Sequence, residues 1–295
     1  MKMPIESANA TAYPVSANGK PREEPEGKSA EMVVDPLRHV GCIRFLGFRV
    51  NPGSIEDYVD LVSESIAHAK RVEVFYHNLH TLHEYLRAES LRRYYRNRVI
   101  LIDGMPLIPL LRLGGYAVQR RHRVTYVDFI WPLLQQAQER QWRVFVTGQS
   151  KATLDAAFAR IRQRLPAIRL AGHHGYFSTE SGSRESREVI DRINEFGTDL
   201  CLVGMGTPRQ EQWVHEHRSL IEAPSVLVCG ACMEYLAGVA NPPPRWMGKW
   251  GLEWSYRLFE NPARFSYRYL VEPWLLGLLL LRNLMGSKVG AGEGH

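Results

Sequence analysis

The chain has 295 residues, a formal net charge of +6 and ordinary apolar and charged fractions. This excludes a disordered or fibrous protein and allows a substantial core. Its arginine-rich balance suits an anionic partner (a phosphorylated ligand, nucleic acid or an acidic membrane) without choosing among them. Cys42, Cys201, Cys229 and Cys232 form no disulfide framework; Cys201 and Cys229 lie in apolar runs and read as buried thiols, and the C-x-x-C of Cys229 and Cys232 lacks the second pair of a zinc site or the helix of a thioredoxin motif.

Residues 1–37 contain no apolar signal-peptide core and are rich in Pro, Ser, Ala, Glu and Lys, so they read as a disordered arm. "CIRFLGFRV" then alternates like one strand, and "NPGSIEDYVDLVSESIAHAK" is a turn and a helix, with Ser54 and Asp57 at capping-box spacing. "VEVFYHNL" predicts a strand ending at Asn78, followed by one amphipathic helix in "HTLHEYLRAESLRRYYRN". "RVILIDGMPLIPLLRLGG" opens with a strand that delivers Asp103 into a glycine-containing turn. Helix "DFIWPLLQQAQERQ", strand "WRVFVTGQS" ending at Gly148 and helix "KATLDAAFARIRQRLP" come next. A strand and loop in "IRLAGHHGYF" and a helix in "SREVIDRINEFG" follow, then two further strand–helix units, "TDLCLVGMGTPRQEQWVHEHRSLI" and "PSVLVCGACMEYLAG".

Strands and helices thus alternate over residues 38–240, and the strands are continuously apolar, as expected of a parallel sheet with helices on both faces. Ligands of such sheets bind at the carboxyl ends of the strands. Asn78, Asp103, Gly148 and the turn from Gly204 to Glu211 all fall at such ends, which predicts a single cleft.

The turn in "LVGMGTPRQEQW" offers small residues, a helix start and Arg209, features that favour a phosphate or a sugar hydroxyl. Arg209 stands where a dinucleotide fingerprint needs its third glycine, which disfavours a nicotinamide-dependent oxidoreductase. Asp103 is either a turn cap or a general base, and position alone leaves both open. Asp128 reads first as a helix cap. His77, His80 and His83 read as structural or surface histidines, since three-residue steps turn them round the helix and Glu84 points elsewhere; no metal site is predicted. Residues 241–286 interleave Trp, Tyr and Phe with Arg and Lys, which suits a membrane interface. No nucleic-acid motif accompanies them, and the apolar stretch in "VEPWLLGLLLLRNLMG" is too short to cross a bilayer. Residues 287–295 read as a flexible tail.

From about Ile43 to about Tyr269, "FLGFRV", "LIDGMPL", "RVTYVDF", "VFVTG", "GHHGYF", "DLCLVGMGTPRQEQW", "VCGACMEYLAG" and "PRWMGKWGLEWSYRL" resemble the WecG/TagA/CpsF glycosyltransferases. The resemblance implies a Rossmann-like α/β domain with a C-terminal helical appendage that touches the membrane and helps close the site. It implies metal-independent, inverting transfer of a hexose from a UDP-sugar to a polyprenyl-diphosphate-linked saccharide, in exopolysaccharide or other cell-surface polysaccharide synthesis. The expected location is peripheral, on the inner face of a bacterial cytoplasmic membrane, in a state compatible with a homo-oligomer and with no nucleic-acid partner. The family's general base falls on Asp103, its strand-end amide on Asn78, and its donor loop on Thr207, Arg209, Gln210 and Glu211, with Gly206 and Pro208 in the same turn. Its diphosphate-binding arginines fall on Arg257 and Arg264, and Thr81, Gly104, Arg123, Thr125, Asp128, Gly148 and Glu234 complete the expected substrate contacts. The chain departs from the family at Tyr76, Tyr126, Glu234 and Pro242. The first two bring bulk where Thr and Gly are usual, the third lengthens an acid, and the fourth removes a positive charge. Glucose, glucuronic acid and N-acetylmannosamine-type donors remain open. The competing reading is a catalytically silent, membrane-associated nucleotide-sugar-binding regulator.

Overall fold

The computed structural model describes residues 38–241, 244, 247 and 252–289, with the side chains of Arg264 and of residues 286–289 outside that description. The expected arm, Pro242 and the end of the expected tail lie outside the described residues.

Six parallel strands form the sheet: β3 (Val72–His77), β4 (Val99–Ile102), β5 (Arg143–Gly148), β6 (Arg169–His173), β7 (Leu200–Gly204) and β8 (Ser225–Val228), in the order β4-β3-β8-β7-β5-β6. β4, β7 and β8 are buried at every position, as continuous apolar runs require when helices cover both faces. The covering helices fall into two groups. One comprises α1 (Ile55–Ala67), α5 (Tyr126–Glu139), α6 (Lys151–Arg164) and α9 (Cys232–Ala237), which pack on one another. In the other, α2 (Leu79–Arg87) and α3 (Glu89–Tyr94) pack together and α3 meets α8 (Arg209–His217). The buried Trp213 of α8 donates to Ser186 of α7 (Arg184–Glu195). A short helix, α4 (Leu107–Leu113), follows β4.

Local chemistry sets the ends of these elements. Ser54 accepts from Asp57 N at 3.3 Å while Asp57 accepts from Ser54 N at 2.7 Å, the expected capping box of α1. The stretch expected as one strand is instead a hairpin of β1 (Ile43–Phe45) and β2 (Phe48–Val50). Leu46 at φ 45° and Gly47 at φ 84° make its two-residue turn, the backbone that matches strand twist. The helix expected after Asn78 is broken at Ala88, whose extended backbone (ψ 120°) separates α2 from α3.

The connection after β5 runs outward to β6, whereas that after β7 runs the other way to β8. Strand order therefore reverses between β5 and β7, the place where open α/β sheets leave a crevice. Gly148 and Gly204 are paired there. Gly148 has φ +145°, and a Cβ on it would lie 2.3 Å from the Gly204 carbonyl oxygen, so the approach requires glycine.

The appendage consists of α10 (Glu253–Glu260), α11 (Pro262–Ser266), a π turn (Tyr267–Val271) and α12 (Glu272–Val289). α12 packs along α2, burying Leu276 and laying Leu280 against the core. Its other face leaves Trp274 78 %, Leu278 64 %, Leu281 50 % and Met285 55 % exposed. Among the described residues no helix is long and apolar enough to cross a membrane.

Candidate active site

The carboxyl edge of the sheet carries two hollows. The larger, a cavity of about 350 Å³, lies at the ends of β3 and β4 and is lined by Asn78, Asp103, Gly104, Arg123 and Thr125 of the sheet domain. Arg257, Arg268, Tyr269 and Trp254 of the appendage complete its wall. The smaller, about 190 Å³, lies at the β5–β7 reversal and is lined by Gln149, Tyr176, Gly206, Arg209 and Glu234.

Asp103 is held by the strand beside it. Its backbone N–H donates to the His77 carbonyl at 2.9 Å, and Gly104 N–H donates to the same oxygen at 3.3 Å. Asn78 Nδ2 donates to Asp103 Oδ2 at 3.2 Å. The other end of that amide is the helix cap: Asn78 Oδ1 accepts from Thr81 N at 3.0 Å, and Thr81 Oγ1 accepts from Asn78 N at 2.8 Å. One side chain thus starts α2 and orients the carboxylate. A Cβ on Gly104 would lie 3.1 Å from Asn78 Cα, so glycine lets the two strand ends approach.

Three guanidinium groups, of Arg123, Arg257 and Arg268, line the same cavity as the carboxylate. Arg123 Nε donates to the Asp103 carbonyl at 3.4 Å, and its guanidinium pairs with Glu253 of α10. Arg268 reaches Asn78 Oδ1 at 3.5 Å. Arg257 lies over the Tyr235 ring at 5.5 Å, with Nε buried and without a hydrogen-bond partner. Burial opposes its charge, but Tyr235, Tyr269, Asp103 and Glu253 outweigh burial and raise its pKa. A half-buried guanidinium that lines the cavity and has an unused donor suits a ligand oxygen.

The smaller hollow opens at the start of α8, whose cap position is Pro208 with no side-chain cap bond. Within its first turn the Gln210 N–H is taken by the Gly206 carbonyl at 3.0 Å, so this helix start offers an anion the positive end of its dipole beside Arg209. Arg209 donates to the Phe177 carbonyl at 2.5 Å. Gln210 and Glu211 are fully buried. Gln210 Oε1 accepts from Gly206 N at 3.2 Å and Gly230 N at 3.1 Å, and its Nε2 donates to Tyr76 Oη at 3.3 Å. Thr207 Oγ1 donates to Glu211 Oε1 at 2.9 Å, and burial raises the Glu211 pKa. These side chains brace the turn from inside.

The expected single cleft is therefore two hollows. β8 and β3 separate Gly204 from Asp103, which by strand spacing is about 14 Å. Tyr76 and Tyr126, with ring centroids 6.0 Å apart, occupy the ground between. Of the expected contacts, Thr81 is buried in the capping box and Asp128 accepts from Thr125 Oγ1 at 3.1 Å on the exposed side of α5. Pro208 is exposed, Gly148 lies behind the smaller hollow, and the Arg264 side chain is outside the described residues.

The sequence reading does not name Arg268, Glu253, Tyr269 or Trp254, and His80, read there as structural or surface, lines the larger cavity. Arginines interleaved with aromatics in the tail were the available signal for the first four. His80 Nδ1 meets Glu272 Oε2 at 2.8 Å, a contact that depends on α12 lying along α2. His80, Glu84 and Glu272 have ligand-type atoms within 4.8 Å of one another, so Glu84, expected to point elsewhere, comes close to His80, and Glu272 joins them from α12. Burial and Arg268 lower the His80 pKa against the pull of Glu272, and Glu84 is also engaged by Arg87 at 3.3 Å. Burial pushes the Cys201 thiol up to about 12 and raises Cys229 and Cys232, consistent with inert buried thiols.

The glycosyl transferase WecG/TagA/CpsF family model matches residues 43–290. A relative from Bacillus spizizenii, named N-acetylglucosaminyldiphosphoundecaprenol N-acetyl-beta-D-mannosaminyltransferase, is 29 % identical over 181 residues, covering 61 % of this chain and 67 % of the relative. A Staphylococcus aureus protein of the same name is 32 % identical over 145 residues, covering 49 % of this chain and 55 % of its own length. With its parallel sheet, its polar strand ends and this match over most of its length, the chain belongs to the WecG/TagA/CpsF family of glycosyl transferases.

Proposed function

We propose that the chain transfers a hexose, with inversion, from a UDP-sugar to the hydroxyl of a polyprenyl-diphosphate-linked saccharide, with Asp103 as general base. The observation that carries the reading is a carboxylate oriented by Asn78 inside a cavity that Arg257 and Arg268 line from the appendage. The acceptor hydroxyl attacks the anomeric carbon, its proton passes to Asp103, and the bond from that carbon to the diphosphate breaks. UDP leaves with the bonding electron pair, and the charge developing on it is met by guanidinium groups and by the positive end of the α8 dipole. No metal ion is needed in this scheme. An extended nucleotide-diphosphate sugar spans the ground between the hollows, with nucleotide at the β5–β7 reversal and sugar at Asp103.

The names of the two relatives make N-acetylmannosamine the first sugar to test, and N-acetylglucosamine on a polyprenyl diphosphate the first acceptor. Such an acceptor stays in the bilayer, and the exposed apolar face of α12 supports peripheral attachment there, with the cavity opening beside it. The inner leaflet is the proposed location, with a polymer of the cell surface as the final product.

The test is UDP release from a panel of UDP-hexoses, with and without a short-chain polyprenyl-diphosphate N-acetylglucosamine. Release from one donor, dependent on acceptor, is expected. UDP binding without release from any donor would instead favour a silent nucleotide-sugar-binding regulator.

A further inference from the structure

A third hollow, about 640 Å³, lies away from both of these, between the β1–β2 hairpin and α3. Arg44, Arg49, Arg92, Arg93 and Arg96 line it, and Glu89 is its single carboxylate among the described residues. Tyr85, Phe48 and Ile100 also contribute to its lining. Arg44 and Arg49 stand directly opposite in the hairpin register, where like charges repel. Arg49 is half-buried and donates to the Arg98 carbonyl, not to a carboxylate. Arg92 likewise donates to a carbonyl, that of Leu86, at 2.8 Å. Five guanidinium groups gathered round one concavity with a single acid favour an anion between them.

The hollow's position indicates where that anion comes from. Leu46 and Gly47 line it, and Leu46 O accepts from Asn283 Nδ2 at 2.9 Å. Asn283 lies in the same stretch of α12 as the exposed Leu281, Leu284 and Met285. At the other end of this helix, Pro273 lines the Asp103 cavity. From Pro273 to Asn283 the helix rises about 15 Å, and its exposed apolar face runs between the two hollows.

We propose that this arginine-lined hollow binds the phosphate of an anionic lipid headgroup, as a second anchor that holds α12 flat along the bilayer. The inference rests on the peripheral membrane attachment proposed above. Apolar insertion alone leaves the whole protein free to pivot about the α12 axis at the membrane surface. A fixed headgroup at the far end sets its direction and keeps the Asp103 cavity at the surface.

The experiment is vesicle co-sedimentation of the full chain, using pure phosphatidylcholine and phosphatidylcholine with phosphatidylglycerol. The double variant Arg44→Gln/Arg96→Gln is compared with wild type and with a control pair, Arg184→Gln/Arg187→Gln, on α7. About fivefold in partitioning per arginine at an anionic surface predicts a loss of about 25-fold on the anionic vesicles. Binding to the neutral vesicles and binding by the control pair should change less than about twofold. Removal of repelling charges should leave the urea midpoint at or above that of wild type. Equal losses in both variants, an equal loss on neutral vesicles, or a lowered midpoint would overturn the proposal. A separate titration with glycerol phosphate tests for a soluble phosphoryl ligand. Saturable binding that the double variant loses, with anionic-vesicle binding unchanged, would overturn the lipid source. Wild type that binds neither vesicle refutes membrane attachment itself, whereas wild type and double variant that bind anionic vesicles equally refute only this anchor.

Discussion

His77 immediately precedes Asn78, and its carbonyl holds the Asp103 turn. Its ring is fully buried, stacked on Tyr95 at 4.8 Å with an interplanar angle of 5°, and edge-on to Phe48 and Tyr85. Neither ring nitrogen has a hydrogen-bond partner. Burial, with Arg49 adding to it, lowers the pKa to about 3 from an ordinary 6.5. Below pH 6.5 the unfolded chain takes up a proton that the native chain refuses, so stability falls with falling pH until the folded pKa is reached. At about 1.36 kcal/mol per pH unit, the loss from pH 8 to pH 5 attributable to His77 is about 2 kcal/mol. The substitution His77→Phe keeps an aromatic ring and removes both the titration and the two unsatisfied nitrogens. Urea unfolding at pH 8 and pH 5 should show wild type losing about 2 kcal/mol more than the variant over that interval. At pH 8 the variant should be no less stable than wild type. Profiles that run parallel from pH 8 to pH 5 would refute a buried neutral imidazole at this position.

Replacing Asp103 by Asn should lower turnover by about 10²-fold or more while UDP affinity, read by calorimetry, stays within about twofold; near-normal turnover would remove Asp103 as the base. Asn78→Ala should cost about 1 kcal/mol through the lost cap of α2, and should lower turnover as well, because the carboxylate loses its orienting donor. If denaturation shows the cap loss and the rate does not move, the amide has no part in the chemistry. Arg257→Ala should weaken UDP binding by about tenfold with little change in the urea midpoint, and unaltered UDP affinity would place the diphosphate elsewhere. Gly148→Ala should destabilise by about 3 kcal/mol or more, since its Cβ would meet the Gly204 carbonyl at 2.3 Å; a soluble variant with a normal melting temperature would contradict that contact.

Much of the architecture is legible in the residues because burial on two faces leaves a mark. Runs such as Val99–Ile102 and Leu200–Val203 carry no alternation, and only a sheet covered on both sides tolerates that. Polar residues directly after such runs mark the ligand edge, which is why Asn78 and Asp103 stand out. Pattern does not encode strand order, so the separation of the Gly204 turn from Asp103 by two strands could not be read. The hairpin was hidden because its turn places Leu46, a residue with no preference for positive φ, at the bend. Nothing marks Ala88 as a break, since alanine is the best helix former. Gln210 and Glu211 look like ligand donors at a helix start. Their phase shows otherwise, for Gln210 lies three residues before the buried Trp213 and four before the buried Val214, and so shares their face. The contact of His80 with Glu272 spans 192 positions, and no local signal reports it.

The double duty of Asn78 bears on which residues that position can accept. Helix starts elsewhere in the chain use serines, at Ser54, Ser150 and Ser183, and such places take Ser, Thr, Asp or Asn almost interchangeably. Position 78 lacks that latitude. Serine and threonine would serve the helix but fall short of Asp103. Aspartate would set a second carboxylate against the first with no proton between them, and glutamine would carry its amide past both partners. Asparagine alone has an acceptor for the helix and a donor for the carboxylate at this reach. A saturation library selected first for folding and then for transfer should therefore pass several residues at position 78 in the first round and one in the second.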